Sequence, residues 1–386
     1  MKEGALSNLF QPTEHISENT TIEEKRPAPR ELPVSRPEPA YLAAIKVVGV
    51  GGGGTNAVNR MIDAGVEGVE FIAVNTDAQA LQMCEADVKI HVGGELTRGL
   101  GGGADPNVGT EALERSRDEV KRVLRGADLV FITAGEGGGT GTGAAPIIAE
   151  LARESGALTI GIVTRPFSFE GTKRNIQAEE GIRRLREAAD TVIIVPNDRL
   201  LQVVDQGTSL LDAFRVADDV LRQGVQSICD LINLPGLINL DFADVRTIMS
   251  GAGSALMGIG TASGEGRAEE AARQAIGSPL LETSIEGARG ILLNVKGGND
   301  VALHEANEAA QVVAAAAAED ANIIFGTVVD DSLHDMIQVT VIATGFDRPV
   351  TAQARHEAQP RREEHPRHEA AVPTAEFEAP EFLAGA

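Results

Sequence analysis

Cysteine is nearly absent. Two thiols, Cys84 and Cys229, lie far apart in 386 residues, both in apolar-patterned surroundings, which argues for buried free thiols and against a disulfide or a ligand pair. Long apolar runs are missing too. None reaches the ~18 residues that a bilayer span needs, so no direct membrane insertion is expected. No basic segment followed by an apolar core and a small-residue cleavage site is found at the start, so no secretion signal is read and a cytoplasmic protein is expected. Positive charge is in deficit, with 34 Lys and Arg against 57 Asp and Glu for a net charge of −23. No Lys/Arg stripe interrupts that background, which works against generic nucleic-acid binding. Seven histidines show no metal-site spacing except His365 to His368, inside a Pro/Arg/Glu-rich tail, and no structural metal is expected.

What is present is a chain that is 42% hydrophobic, long enough for two cores of ordinary domain size. The stretch from Ser209 to Ile232 organises it. Leu210, Phe214, Ala217, Leu221, Ile228 and Leu231 recur at helical spacing, while Leu211, Val220, Val225 and Ile232 form a second apolar face, so this helix should be buried between two bodies. Ser209 with Asp212 reads as its capped start and Pro235-Gly236 as its stop.

Residues 1–42, rich in Glu and Pro, read as a disordered arm. From Ala44 short apolar strands alternate with helices: strand Ala44 to Val48, glycine loop Gly49 to Gly54, helix Thr55 to Ala64, strand Gly68 to Asn75, then the long helix Asn107 to Arg125 and a helix from Glu170. This predicts an α/β domain over 43–208 with a mostly parallel sheet covered on both faces. Beyond the central helix at 209–232, a smaller α+β domain is expected over 233–346, including a helix from Asp300 to Glu319. A flexible linker follows at 347–375. Its end, 376–386, carries an apolar cluster beside acids, which reads either as a frayed end or as a short partner-docking peptide.

Gly49, Gly51 and Gly54 match a GxGxxG dinucleotide fingerprint after a strand, with Asp77 somewhat late for the ribose acid. A second glycine loop, Gly135 to Gly143, also follows a strand and leads into a helix. Its backbone N–H groups at Gly138, Gly139, Gly141 and Gly143 can approach phosphate oxygens, the helix start adds positive potential, and Thr140 and Thr142 can donate hydroxyls. Gly99 to Gly103, including Gly101 and Gly102, could close over a terminal phosphate. No GxxxxGK[ST] lysine is present, so neutralisation falls to backbone dipoles and Mg²⁺.

GGGTGTG after the strand Asp128 to Thr133, together with Asn239-Leu-Asp241-Phe-Ala-Asp244-Val after the central helix, resembles the FtsZ family, bacterial tubulin homologues of cell division. The resemblance runs from about Ala44 to Phe346. It implies a tubulin-like fold, with a Rossmann-type GTP-binding domain, a long central helix and a second α/β domain. It also implies GTP and GDP as ligands, GTP-dependent head-to-tail filaments forming the division ring at mid-cell, and membrane tethers and regulators bound through the C-terminal peptide. Carried over by position, Gly52 and Gly53 border the nucleotide, Asn56 and Asp218 read guanine, and Phe214 stacks on it. Asn197 sits at base and ribose, and Glu170 and Arg174 near ribose and phosphates, although their spacing also suits a plain surface ion pair. Glu136 stands where the family usually places Met.

The catalytic residues implied are Asp241 and Asp244, assisted by Asn239. The two acids also suit a helix cap. They lie past the end of a helix roughly 36 Å long, whose start touches nucleotide, so they cannot reach their own nucleotide and must serve that of the next subunit. Two other readings stay open: an NAD-dependent Rossmann enzyme using Gly49 to Gly54 alone, and a nucleotide-binding scaffold without turnover.

Overall fold

The computed structural model describes residues 43–205, 207–233 and 240–346. The arm at 1–42, the linker at 347–375, the peptide at 376–386 and Asn239 lie outside the described residues. The first half builds β1 (Ile45–Val50), α1 (Gly51–Asp63), β2 (Val69–Asn75), α2 (Ala78–Met83), β3 (Val88–His91), α3 (Gly94–Thr97), α4 (Pro106–Arg115) and α5 (Arg117–Leu124). It continues with β4 (Leu129–Gly135), α6 (Thr140–Glu154), β5 (Leu158–Arg165), a 3₁₀ turn (Ser168–Glu170), α7 (Thr172–Ala188), β6 (Thr191–Pro196) and α8 (Asn197–Leu200). After the central α9 (Leu210–Asn233) come α10 (Phe242–Met249), β7 (Gly253–Ser263), α11 (Arg267–Ile276), β8 (Gly290–Gly297), α12 (Leu303–Ala316), β9 (Asn322–Val329) and β10 (Met336–Thr344).

The ten strands among the described residues form one sheet in the order β3-β2-β1-β4-β5-β6-β7-β10-β8-β9. Pairing is parallel from β3 to β7, antiparallel on both sides of β10, and parallel again between β8 and β9. The expected parallel-dominated α/β architecture is therefore observed. The second half is not a separate sheet: β7 continues the first through three parallel pairs, Thr191 with Gly253 to Ile193 with Ala255.

The central strands are near-continuous apolar runs because both of their faces are covered. Alternation sorts them by side. Ile45, Val47, Leu129 and Phe131 share one core with Leu221, Val225 and Ile228 of α9, and Val48, Val50, Val130 and Ile132 share another with Ile148 and Leu151 of α6. The α9 core also takes in Met257, Leu292 and Ile342 from the second half, so this helix lies across both halves of the sheet. Its first turn is different. Leu210 and Leu211 are 60% and 62% exposed, because the helix begins beyond the layer it packs on. Ser209 caps it as read, its Oγ accepting from the Asp212 N–H at 3.1 Å. Cys84 and Cys229 are buried free thiols.

Several sequence boundaries move. The helix expected over 107–125 is two, broken at Ser116, which ends α4 and starts α5 with φ −108° and ψ 11°. The helix expected from Thr55 begins at Gly51, since the glycines after β1 wind into its first turn. The helix expected from Glu170 waits until Thr172, because Gly171 at φ +106° breaks the chain direction after the 3₁₀ turn. The helix expected over 300–319 covers only Leu303–Ala316.

Candidate functional site

Register puts the ends of β1 and β4 side by side, Val50 opposite Ala134, so α1 and α6 begin next to each other. Neither helix start is capped by a side chain, which leaves first-turn N–H groups at the carboxyl edge of the sheet. Many of the glycines here serve contact between backbones. A Cβ on Gly51 would stand 2.8 Å from the Gly141 nitrogen and one on Gly53 3.1 Å from that of Gly135, while one on Gly143 would collide with the Pro106 carbonyl. A Cβ on Gly139 would stand 2.9 Å from the Gly102 oxygen, which brings the third glycine segment against the second. Gly52 and Gly138 differ: nothing of the protein lies within 4 Å of where their Cβ would be. Their missing side chains leave room on the open side of the floor.

Thr140 and Thr142 are buried and turned into the fold. Thr142 Oγ1 accepts from the Gly137 N–H at 2.8 Å, and the Thr140 and Thr76 hydroxyls share a hydrogen bond of 2.6 Å. They stiffen the loop rather than face outward.

Beside this floor lies a cleft of about 200 Å³ whose walls include Gly53, Asn56, Glu170, Arg174, Asn197, Phe214 and Asp218. Residues far apart in sequence thus meet because α1, α7, α8 and α9 all open on one edge of the sheet. Glu170 is held twice: its Oε1 accepts from the Phe167 N–H at 2.9 Å and its Oε2 pairs with Arg174 at 3.1 Å. The i, i+4 ion pair is therefore formed. Phe214 is 37% exposed and lines the cleft, and it makes a T-shaped contact with the buried Phe167 at 5.4 Å between centroids. Asn197 is 4% exposed and its Oδ1 has no hydrogen-bond partner. Such an orphaned acceptor is costly unless a ligand donor meets it.

Asp218 on α9 is mostly buried, and burial pushes its pKa up to about 6 while Arg60 opposes the shift. The Arg60 Nε donates to its Oδ2 at 3.2 Å. Arg60 escaped the sequence reading; its one signal was its place a single turn after Asn56. Glu136 borders the cleft, but its carboxyl is sealed against α6 and α7, where a Cβ on Gly181 would collide with Oε2. Neither of its oxygens completes a hydrogen bond. Burial raises its pKa to about 7, against the Thr142 hydroxyl and the Arg184 charge, which pull the other way.

Asp241 and Asp244 are not brought to this cleft. Both are exposed at the start of α10, and Asp241 caps it by accepting from the Ala243 N–H at 3.3 Å. Phe214 and Asp218 sit near the start of α9, a 24-residue helix roughly 36 Å long, and α10 follows its far end. Asp77, the candidate ribose acid of a dinucleotide site, caps α2 through the Gln79 and Ala80 N–H groups instead. Among the described residues no group of three or more His, Cys, Asp or Glu could hold a metal ion. No helix among them is long and apolar enough to cross a membrane.

The tubulin/FtsZ family GTPase-domain model matches residues 44–205, and the FtsZ family C-terminal domain model matches 253–347. An FtsZ dimer from M. jannaschii is 44% identical, covers 80% of this chain and 89% of its own, and superposes with a TM-score of 0.77. The chain belongs to the FtsZ family. It is a GTPase of the tubulin class, and the NAD-enzyme reading is set aside. A point mutant of M. jannaschii FtsZ is 45% identical over 79% of this chain and 91% of its own, with the same TM-score of 0.77. CetZ2 from Haloferax volcanii, described as a GTPγS-bound protofilament, shares the fold at 21% identity and a TM-score of 0.67, covering 78% of this chain and 92% of its own.

Proposed function

We propose that this FtsZ-family GTPase assembles head to tail and that each of its active sites is completed by the next subunit. Guanine and ribose enter the cleft between Asn56, Asn197, Phe214 and Asp218, where the Asp218 carboxylate accepts from N1–H and N2–H₂ and Asn197 Oδ1 gains the donor it lacks. Phosphates lie over the glycine floor at Gly52, Gly53, Gly138 to Gly143 and, closing from above, Gly101 and Gly102. The uncapped starts of α1 and α6 stabilise their charge. Among the described residues no group of three or more His, Cys, Asp or Glu forms a metal cage, and Mg²⁺ would enter with the nucleotide to offset phosphate charge.

Asp241 and Asp244, with Asn239, belong to the neighbour's site. There the two carboxylates orient and polarise the attacking water. The observation that carries this reading is the length of α9: it holds the base-reading residues near one end and the acids past the other. A surface that must meet a different surface on the next copy makes a heterologous, open-ended assembly, and this is a filament. The domain division at 43–208, 209–232 and 233–346 follows the same logic, with the helix as the spacer between two contact ends. The remaining parts of the reading are the division ring at mid-cell in the cytoplasm, and membrane tethers or regulators docking on 376–386.

Phosphate release from GTP, measured per subunit across protein concentration with Asp241→Ala in parallel, tests the shared site. Release that is negligible when dilute, climbs steeply with concentration and disappears in the variant supports it. Release per subunit that stays flat places a complete site in one chain and overturns it.

A further inference from the structure

We propose that Arg60 is a positioning residue that sets the guanine preference of the cleft by fixing the orientation and charge of the Asp218 carboxylate. This rests on the reading of the cleft as a guanine site. Arg60 is not among the residues that line the cleft, so it acts through Asp218. Asn56 and Arg60 lie one turn apart on α1, so the same helix face that presents Asn56 to the cleft brings the guanidinium to Asp218, with Nε donating to Oδ2 at 3.2 Å. The Asp218 side chain is 14% exposed and that of Arg60 35% exposed, which leaves the pair only partly screened.

A carboxylate can serve both donors of guanine only while charged. Protonated, it offers one O–H and one acceptor, a pattern that suits the N1 acceptor and N6 amino group of adenine as well. Burial already favours the protonated form of Asp218, and Asp219 beside it adds repulsion. Arg60 is the cation that opposes both. The other charged groups nearby are committed elsewhere: Arg222 pairs with Asp219 at 2.6 Å, and across the cleft Arg174 pairs with Glu170 at 3.1 Å. Without Arg60 the titration of Asp218 moves to higher pH, and affinity for guanine falls about tenfold for each pH unit below it.

The test is calorimetric binding of GDP and ADP to the full chain and to Arg60→Gln, Arg60→Lys and Asp218→Asn at pH 6 and pH 8. Arg60→Gln should bind GDP about tenfold more weakly than wild type at pH 6 and close to wild type at pH 8, with a reduced GDP-over-ADP ratio at pH 6. Arg60→Lys should restore most of the loss. Wild-type affinity of Arg60→Gln at both pH values overturns the proposal. So does a loss equal at both pH values and not rescued by Lys, since a purely structural role would produce it. Asp218→Asn separates the two levels: if it loses GDP affinity at pH 8 while Arg60→Gln behaves as wild type at pH 6 as well as at pH 8, the guanine site stands and the role of Arg60 falls. If Asp218→Asn binds GDP as wild type does, the base reading itself fails and takes the Arg60 proposal with it.

Discussion

At the scale of residues, the Glu136 carboxyl is buried beside the second glycine loop with neither oxygen hydrogen-bonded. Its place in that loop was legible in the sequence. The direction of its side chain was not, because that depends on Gly181, far along the chain, leaving a gap on α7. A group whose pKa rises from 4.5 to about 7 on folding binds its proton more tightly in the native state. The contribution of Glu136 to stability is therefore greatest below pH 4.5, falls as pH rises through the window from 4.5 to 7, and is flat above it. Between pH 5.5 and pH 8 this carboxyl costs the fold about 2 kcal/mol. Glu136→Met removes that dependence. Urea unfolding should show the variant gaining about 2 kcal/mol more over wild type at pH 8 than at pH 5.5, and an equal difference at both would rule out a buried titrating carboxyl. Arg60 was missed for a related reason: a basic residue on an amphipathic helix has no signature until its partner on another helix is known.

At the scale of elements, the starts of α1 and α6 were legible as glycine-rich helix starts after strands, but not glycine by glycine. Sequence treats Gly138 and Gly143 alike, whereas the fold gives them opposite surroundings. Gly143→Ala drives a methyl into the Pro106 carbonyl and should cost roughly 2 kcal/mol or more of stability. Gly138→Ala meets no protein atom and should leave the melting temperature unchanged while lowering GTP affinity at least tenfold, because the methyl occupies the space over the floor. Thermal melts and GTP titrations of the two variants check both halves. A Gly138→Ala protein that binds GTP normally would place the phosphates elsewhere. Helix limits were misread where turns are made by tertiary contact: Ser116 breaks a pattern that is helical throughout, and the first turn of α9 is apolar yet uncovered. The cap formed by Ser209 and Asp212 was legible because it is local.

At the scale of the whole molecule, alternating strands and helices announced the parallel-dominated fold. The joining of all ten strands into one sheet was not legible, since it rests on three residue pairs between β6 and β7, strands separated in sequence by the whole of α9. In the proposed filament, that continuity makes α9 the spacer between the cleft and α10. The most direct measurement of this account is complementation. Asp241→Ala keeps an intact cleft, Asp218→Ala keeps intact acids, and each should be nearly inactive alone. Mixed one to one in GTP, random neighbours pair an intact cleft with intact acids at roughly a quarter of contacts, so phosphate release should recover to about that fraction of wild type. Release from the mixture no greater than the sum of the two separate proteins would contradict an active site shared between subunits.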